Sequence, residues 1–358
     1  MATSKLFLHV FLLYFLLLAC IVNAKHVNAG NVQGMFILGS SVVDNGNNNF
    51  NPDTTAKANY APYGVDFPSG ATGRFSNGKN IADILAECLG LPLIPAFADP
   101  RTKGGAITHG VNFGSGGSGI LDDTGSIVGK VTTLNEQIDN FEKETLPALE
   151  AQVGSQRAAI LPNYLFLIAA GNNDYLLNYF IGRQLLTPQA FAAKLISVYS
   201  NQLKRLYNLG ARRFILVSVY PLGCSPVVSR GLGCLPIQNG VVSIFYDQLI
   251  SMVDGLKQQL PASDIVVLNS VKLITDVINN AGAAGFSNTN GSCCQLSVNG
   301  ASCQENGSVC NDRKSYVYFD GQHNTEALNV AFVGKAFASA DKSDVYPVNL
   351  QNLLHTNF

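Results

Sequence analysis

Histidine is scarce in this chain, with five in 358 residues. Any imidazole chemistry therefore has few places to sit. Charged residues make up only 13% of the chain against 47% apolar ones, and the net charge is −1. That balance excludes a disordered, self-repelling chain and suits a large buried core. No basic run occurs, so the electrostatic footprint of a nucleic-acid binder is missing. After the first 22 residues no apolar stretch is long enough to span a bilayer. Internal repeats and low-complexity linkers are absent as well.

The start of the chain is read as a secretory leader. Lys5 precedes the apolar run Leu6 to Val22, and Val22-Asn23-Ala24 offers a small-residue cleavage site. Val27-Asn28-Ala29 repeats the pattern and is a close alternative. The expected organisation is a cleaved leader over 1–24 and one domain over 25–358, secreted and extracellular, with no membrane segment left after cleavage.

Seven cysteines follow the leader. In an oxidising compartment they predict disulfides before metal ligands. Cys224 and Cys234 flank a short loop, and Cys293, Cys294, Cys303 and Cys310 crowd a Gly/Asn/Ser-rich segment. Adjacent cysteines do not have zinc-site spacing, so no metal is expected. Bridges over such short loops each add roughly 2–3 kcal/mol on a chain-entropy estimate. The pairing is open, and the odd count leaves Cys88, in an apolar helical pattern, as the expected free thiol. Two sequons, Asn290-Gly291-Ser292 and Asn306-Gly307-Ser308, predict glycan acceptors at Asn290 and Asn306 and place this segment on the surface.

Between these landmarks the chain reads as alternating strands and helices. Met35 to Leu38, Tyr164 to Ala170, Phe214 to Val219 and Ile265 to Leu268 are short apolar runs with strand character. Helices are predicted over Asn80 to Leu89, from Thr187 to about Leu209, from about Val241 to Leu260, from about Val271 to Asn279, and from Thr325 to Ala338 as the last. Near-continuous apolar strands separated by helices predict a parallel sheet covered on both faces.

Serine needs a base to act as a nucleophile, and the base needs an orienting acceptor. Outside the leader the histidines are His26, His109, His323 and His355. Only His323 has a carboxylate at useful spacing, Asp320 three residues earlier. The same pair also reads as a helix cap beside a surface histidine. Phe36 to Leu38 delivers Gly39-Ser40-Ser41 to a polar loop. Val111 to Gly119 and Gly171-Asn172-Asn173-Asp174 each offer donors for a developing oxyanion, or are ordinary turns. Gly114-x-Gly116-x-x-Gly119 matches a dinucleotide fingerprint literally, but Ile120 to Gly129 is poor helix, so a nucleotide site is not expected. Gly-x-Ser-x-Gly is absent, which disfavours an α/β-hydrolase.

Taken together, four ordered blocks resemble the SGNH/GDSL hydrolases, most closely the plant GDSL esterase/lipases. They are Gly39-Ser40-Ser41, the Asn112-to-Gly117 loop with Gly116, Gly171-x-Asn173-Asp174, and Asp320-x-x-His323. Asp44-Asn45-Gly46-Asn47-Asn48-Asn49, Thr72 to Gly78 and Pro221-Leu222-Gly223-Cys224 extend the match over the whole mature chain. The resemblance implies a three-layer α/β/α sandwich with a flavodoxin-like, mainly parallel sheet. It implies Ser41 as nucleophile, His323 as base and Asp320 as orienter. The Ser41 and Gly116 amides with the Asn173 side chain would form the oxyanion hole, although adjacent Gly117 is an equal candidate for the second amide. It further implies a small-molecule or lipid ester substrate, an acyl-enzyme intermediate, no metal and no cofactor. An acyltransferase using an alcohol acceptor, or a non-catalytic ligand-binding glycoprotein, would use the same scaffold. The departure is Ser40, where the family usually has Asp. A serine accepts a backbone N–H more weakly and carries no charge, so a loosened nucleophile loop with retained chemistry is expected.

Overall fold

The computed structural model describes residues 32–182 and 185–355. The expected leader and His26 lie outside them. Four parallel strands form the centre in the order β1 (Gly34–Gly39), β2 (Tyr164–Ala169), β3 (Arg213–Val217) and β4 (Asp264–Leu268). Phe36 pairs with Phe166 and Phe166 with Phe214, so one aromatic row crosses the sheet. Every residue of β1, β2 and β3 is buried. That explains their near-continuous apolar sequence, since both faces are covered. A separate pair, β5 (Asn288–Ser292) and β6 (Tyr316–Tyr318), lies outside this sheet, and β7 (Val345–Tyr346) closes it antiparallel to β4.

The free edge of β1 is occupied by residues 109–113. Met35 and Ile37 donate to the carbonyls of His109 and Val111, and Phe113 donates back to Ile37. This segment serves as a further parallel strand beside β1 and gives the flavodoxin-like order. Gly110 makes the approach possible: it sits at φ +104°, and a Cβ there would lie 1.9 Å from the Met35 carbonyl oxygen.

Helices cover the sheet in two groups. α1 (Ile81–Cys88) is started by an Asn80/Asp83 capping box and stops before Gly90, which has φ 70°. α2 (Leu134–Asn140) and α3 (Leu146–Val153) are joined by a π turn over Phe141–Thr145. α4 (Pro188–Leu209) is capped by Thr187 and ends at left-handed Gly210, as its sequence predicts. α5 (Pro236–Gln259) packs on α4. α6 (Ser270–Asn279) and α7 (Glu326–Ala338) form the other group with α1. The result is a three-layer α/β/α arrangement, with one contiguous apolar cluster running from Val32 to Leu354.

Four elements differ from expectation. α5 starts at Pro236, earlier than about Val241, because proline at the first helical position needs no N–H partner there. α2 and α3 are not anticipated by the sequence pattern, since the π turn breaks the 3.6-residue period that would reveal Leu134, Ile138, Phe141, Leu146 and Leu149 as one buried face. A short helix, Leu350–Leu354, follows the one expected to be last.

Cys224 pairs with Cys234, Cys293 with Cys310 and Cys294 with Cys303. Cys88 is not a free thiol, contrary to expectation: it too is disulfide-bonded. Cys293, Cys294 and Cys303 join Tyr63, Phe75 and Phe319 in a second small core. Asn290 and Asn306 are both exposed. No helix among the described residues is long and apolar enough to cross a membrane.

Candidate active site

The sheet delivers the candidate residues to one place, at the carboxyl ends of its strands, where ligand sites form in open α/β sheets. β1 ends at Gly39, whose φ of +135° turns the chain sharply; a Cβ there would lie 2.2 Å from the Ala169 carbonyl oxygen. Ser40 and Ser41 follow this turn, and both are buried. From the other end of the chain, the loop before α7 brings Asp320 and His323.

Ser41 Oγ lies 2.8 Å from His323 Nε2, and His323 Nδ1 lies 2.7 Å from Asp320 Oδ2. The second Asp320 oxygen accepts the backbone N–H groups of His323 at 2.7 Å and Gln322 at 2.9 Å. Asp320 therefore does not cap α7; the Thr325 side chain does, accepting from Leu328 N. His109, the alternative imidazole, instead places Nδ1 2.9 Å from the Gln33 carbonyl.

Two aromatic residues that sequence spacing did not single out complete this line. The Tyr63 hydroxyl donates to Asp320 Oδ2 at 2.6 Å and accepts from Cys303 N at 3.1 Å. Burial first, then the neighbouring Asp320, holds the phenol well above its ordinary range, so it remains a donor. Phe75 packs its ring 4.9 Å from the His323 ring centroid. The disulfide-bonded segment thus reaches the site through Tyr63. Nothing in the sequence separates Tyr63 from the other tyrosines, whereas Phe75 falls within the Thr72-to-Gly78 segment.

The Gly39-Ser40-Ser41 loop is held from three sides. Gln137, buried in α2, accepts from Gly39 N at 2.8 Å and donates to Gly39 O at 3.0 Å. Ser40 N and Ser40 Oγ both donate to the Ala169 carbonyl, at 2.9 and 3.3 Å. The expected acceptor role of Ser40 is not found, because the nearest partner is itself an acceptor. Asp44 does that work instead. Its Oδ1 takes the N–H groups of Gly46 and Asn47 at 2.7 and 2.8 Å, and its Oδ2 takes that of Gly116 at 3.0 Å. Complete burial raises its pKa to about 6, against the pull of those amides and of Arg74.

The amide of Gly116 is thus already committed to Asp44. Gly117, at φ 90°, lines the cavity together with Ser41, Asn173 and His323. Asn173 donates one amide hydrogen to the Ser118 carbonyl at 2.9 Å, which fixes the side chain and leaves its second hydrogen available. Asp174 beside it, with its pKa raised to about 6 by burial, accepts from Ile120 N, Leu121 N and Thr124 Oγ1. It ties this turn to the glycine loop. Ile120 to Gly129 forms turns and one short 3-10 segment, Ser126–Val128, which gives the glycine loop no helix on which to seat a pyrophosphate.

The cavity above Ser41 measures about 460 Å³. One wall is apolar, with Leu176, Leu177, Phe180 and Ile181 on the turns after Asn173, and Val227 and Val228 add to its lining. This arrangement places a serine hydroxyl, an imidazole and a carboxylate in line beside a partly apolar cavity.

A model of the GDSL-like lipase/acylhydrolase family matches residues 35–334. Among similar proteins, a GDSL esterase/lipase of Arabidopsis thaliana is 36% identical over 360 residues, covering 96% of this chain and 97% of the relative. A second from the same plant is 38% identical, covering 92% and 87%, and a third is 39% identical, covering 90% of each. The chain therefore belongs to the GDSL-like lipase/acylhydrolase family and is a carboxylic ester hydrolase.

Proposed function

We propose that the protein is a secreted serine esterase that works through an acyl-enzyme. Ser41 Oγ attacks the ester carbonyl as His323 Nε2 takes its proton. The imidazolium is oriented and stabilised by Asp320, which Tyr63 and two backbone amides hold in place. The tetrahedral oxyanion is received by the Ser41 amide and the Asn173 side chain, with Gly117 as third donor, because the Gly116 amide is already in use. His323 then protonates the leaving alkoxide. Water, deprotonated by the same imidazole, releases the acyl group and restores Ser41. The step needs no metal or cofactor. The disulfides and exposed sequons support an oxidising, extracytoplasmic setting, with Asn290 and Asn306 as glycan sites.

The observation that carries this reading is the unbroken line from Ser41 Oγ through His323 to Asp320, at 2.8 and 2.7 Å. A fluorophosphonate probe followed by mass spectrometry tests it. The adduct is expected on Ser41, lost in Ser41→Ala and His323→Ala, and kept in Ser40→Ala. A folded protein that hydrolyses esters with no adduct, or with one on another serine, would sink the assignment.

A further inference from the structure

The cavity has a second wall of opposite character. Arg230, Gln238, Asn299, Ser302 and Gln322 all line it. Hydrogen bonds join the loops that carry them: Val227 N donates to Gly321 O at 2.7 Å and Gly321 N to Ala301 O at 2.9 Å. Arg230 is the only permanently charged side chain among the described lining residues, and no Asp or Glu is among them. Its guanidinium has no hydrogen-bond or ion-pair partner among the described residues, whereas Arg74, Arg101, Arg157, Arg205 and Arg313 each pair with a carboxylate.

The backbone fixes the point from which this side chain springs. Arg230 adopts φ 51°, ψ 36°, a left-handed conformation uncommon for a side-chain-bearing residue, and ends the helical turn Pro226–Ser229. The Cys224–Cys234 disulfide closes the loop, and the Val227–Gly321 bond anchors it two residues before His323. Arg230 is exposed, so its guanidinium stands at the solvent-facing rim of an otherwise uncharged wall, with no carboxylate among the described lining residues to offset it. Its planar fork matches a carboxylate or phosphate.

We propose that Arg230 is an anion subsite and that the ester substrate carries a carboxylate or phosphate on its alcohol half. The half follows from the chemistry. His323 gives its proton to the leaving alkoxide, and the Arg230 loop is bonded to the histidine loop. The acyl half lies against Leu176, Leu177, Phe180 and Ile181, which follow the oxyanion residue Asn173. The substrate is thus an amphipathic ester: an apolar acid joined to an anionic alcohol. This deepens the Ser41 esterase reading and rests on it.

The test uses butyrate esters of 4-hydroxybenzoate, 4-hydroxyphenyl phosphate and 4-hydroxybenzamide, so that the alcohol is a carboxylate, a phosphate or neutral. A monoester of butanedioic acid with a neutral phenol places the anion on the acyl half. The readout is the ratio of kcat/KM for each charged ester to that for the neutral one. Arg230→Gln is expected to lower the ratio for the alcohol-side anions about ten-fold, Arg230→Lys to restore most of it, and Arg230→Glu to invert the preference. Salt on the order of 1 M, where the screening length is about 3 Å, should weaken the wild-type preference. The larger of the carboxylate and phosphate effects identifies the anion. Equal ratios in wild type, Arg230→Gln and Arg230→Glu would overturn the subsite. A larger effect on the butanedioate monoester would overturn its placement on the alcohol half. If no ester is hydrolysed and Ser41 takes no fluorophosphonate, the esterase reading has failed; hydrolysis without charge dependence removes only the subsite.

Discussion

Replacing Asp44 by asparagine separates two effects that a single stability measurement would merge. At neutral pH the substitution removes a buried charge and also points an amide N–H₂ at the N–H of Gly116, which then lacks an acceptor. An orphaned buried amide costs about 1–3 kcal/mol, close to what relief of the desolvated charge returns, so the net change at one pH is uninformative. The pH dependence of the difference is clean, because the asparagine side chain does not titrate. The Asp44 pKa is raised from 3.8 to about 6. A folded-state pKa above the unfolded one means that the native state binds the extra proton. The stabilising contribution is thus fully present below pH 3.8 and lost as pH rises through about 6. At about 1.4 kcal/mol per unit, the wild type should lose roughly 3 kcal/mol relative to Asp44→Asn across that window. In thermal melts of both proteins between about pH 4 and 7, the wild-type advantage should shrink by a few degrees as pH rises. An advantage that grows with pH would show that the amides of Gly46, Asn47 and Gly116 outweigh burial, and would refute the argument.

Three further outcomes follow from the site. Tyr63→Phe removes a donor from Asp320 and an acceptor from Cys303 N; kcat for a simple ester should fall about ten-fold, as for loss of one charge-assisted bond, with the circular dichroism unchanged. An unaltered kcat would make Tyr63 a packing residue only. Gln137→Leu orphans the N–H of Gly39, whose C=O keeps Ser115 N and Ser118 Oγ as donors, so the melting temperature and Ser41 labelling should drop together, by roughly 1–3 kcal/mol in stability; loss of neither would mean that the turn holds itself. Ser40→Ala deletes one long hydrogen bond to a carbonyl that keeps its backbone donor, and should cost under about 1 kcal/mol and less than about two-fold in activity. A large loss there would mean that the Ser40 hydroxyl touches the reaction.

What the sequence disclosed and what it hid divide along a physical line. The strands were legible because burial on both faces makes them continuously apolar, and α4 was legible because Thr187, Pro188 and Gly210 mark its ends. The Asp320–His323 pair was legible because a three-residue spacing is local. Tyr63 and Gln137 were not, because their partners lie 257 and 98 residues away and a tyrosine or glutamine advertises no such bond. α2 and α3 were hidden by a π turn that breaks the period.

Ser40 shows how a local departure misleads when its compensation is distant. Read alone, Gly39-Ser40-Ser41 lacks the carboxylate that would tie down the nucleophile loop. In the fold, a carboxylate is present three residues beyond Ser41: Asp44 gathers amides from its own loop and from Gly116, 72 residues away. The Ser40 hydroxyl is directed at the Ala169 carbonyl, where a carboxylate would meet an acceptor of like polarity. An aspartate introduced at this position would have to turn from Ala169 to find donors, at a site only 1% exposed. Ser40→Asp should therefore lower stability without raising the rate of Ser41 labelling. A faster rate at equal stability would show that Asp44 does not substitute for the missing charge.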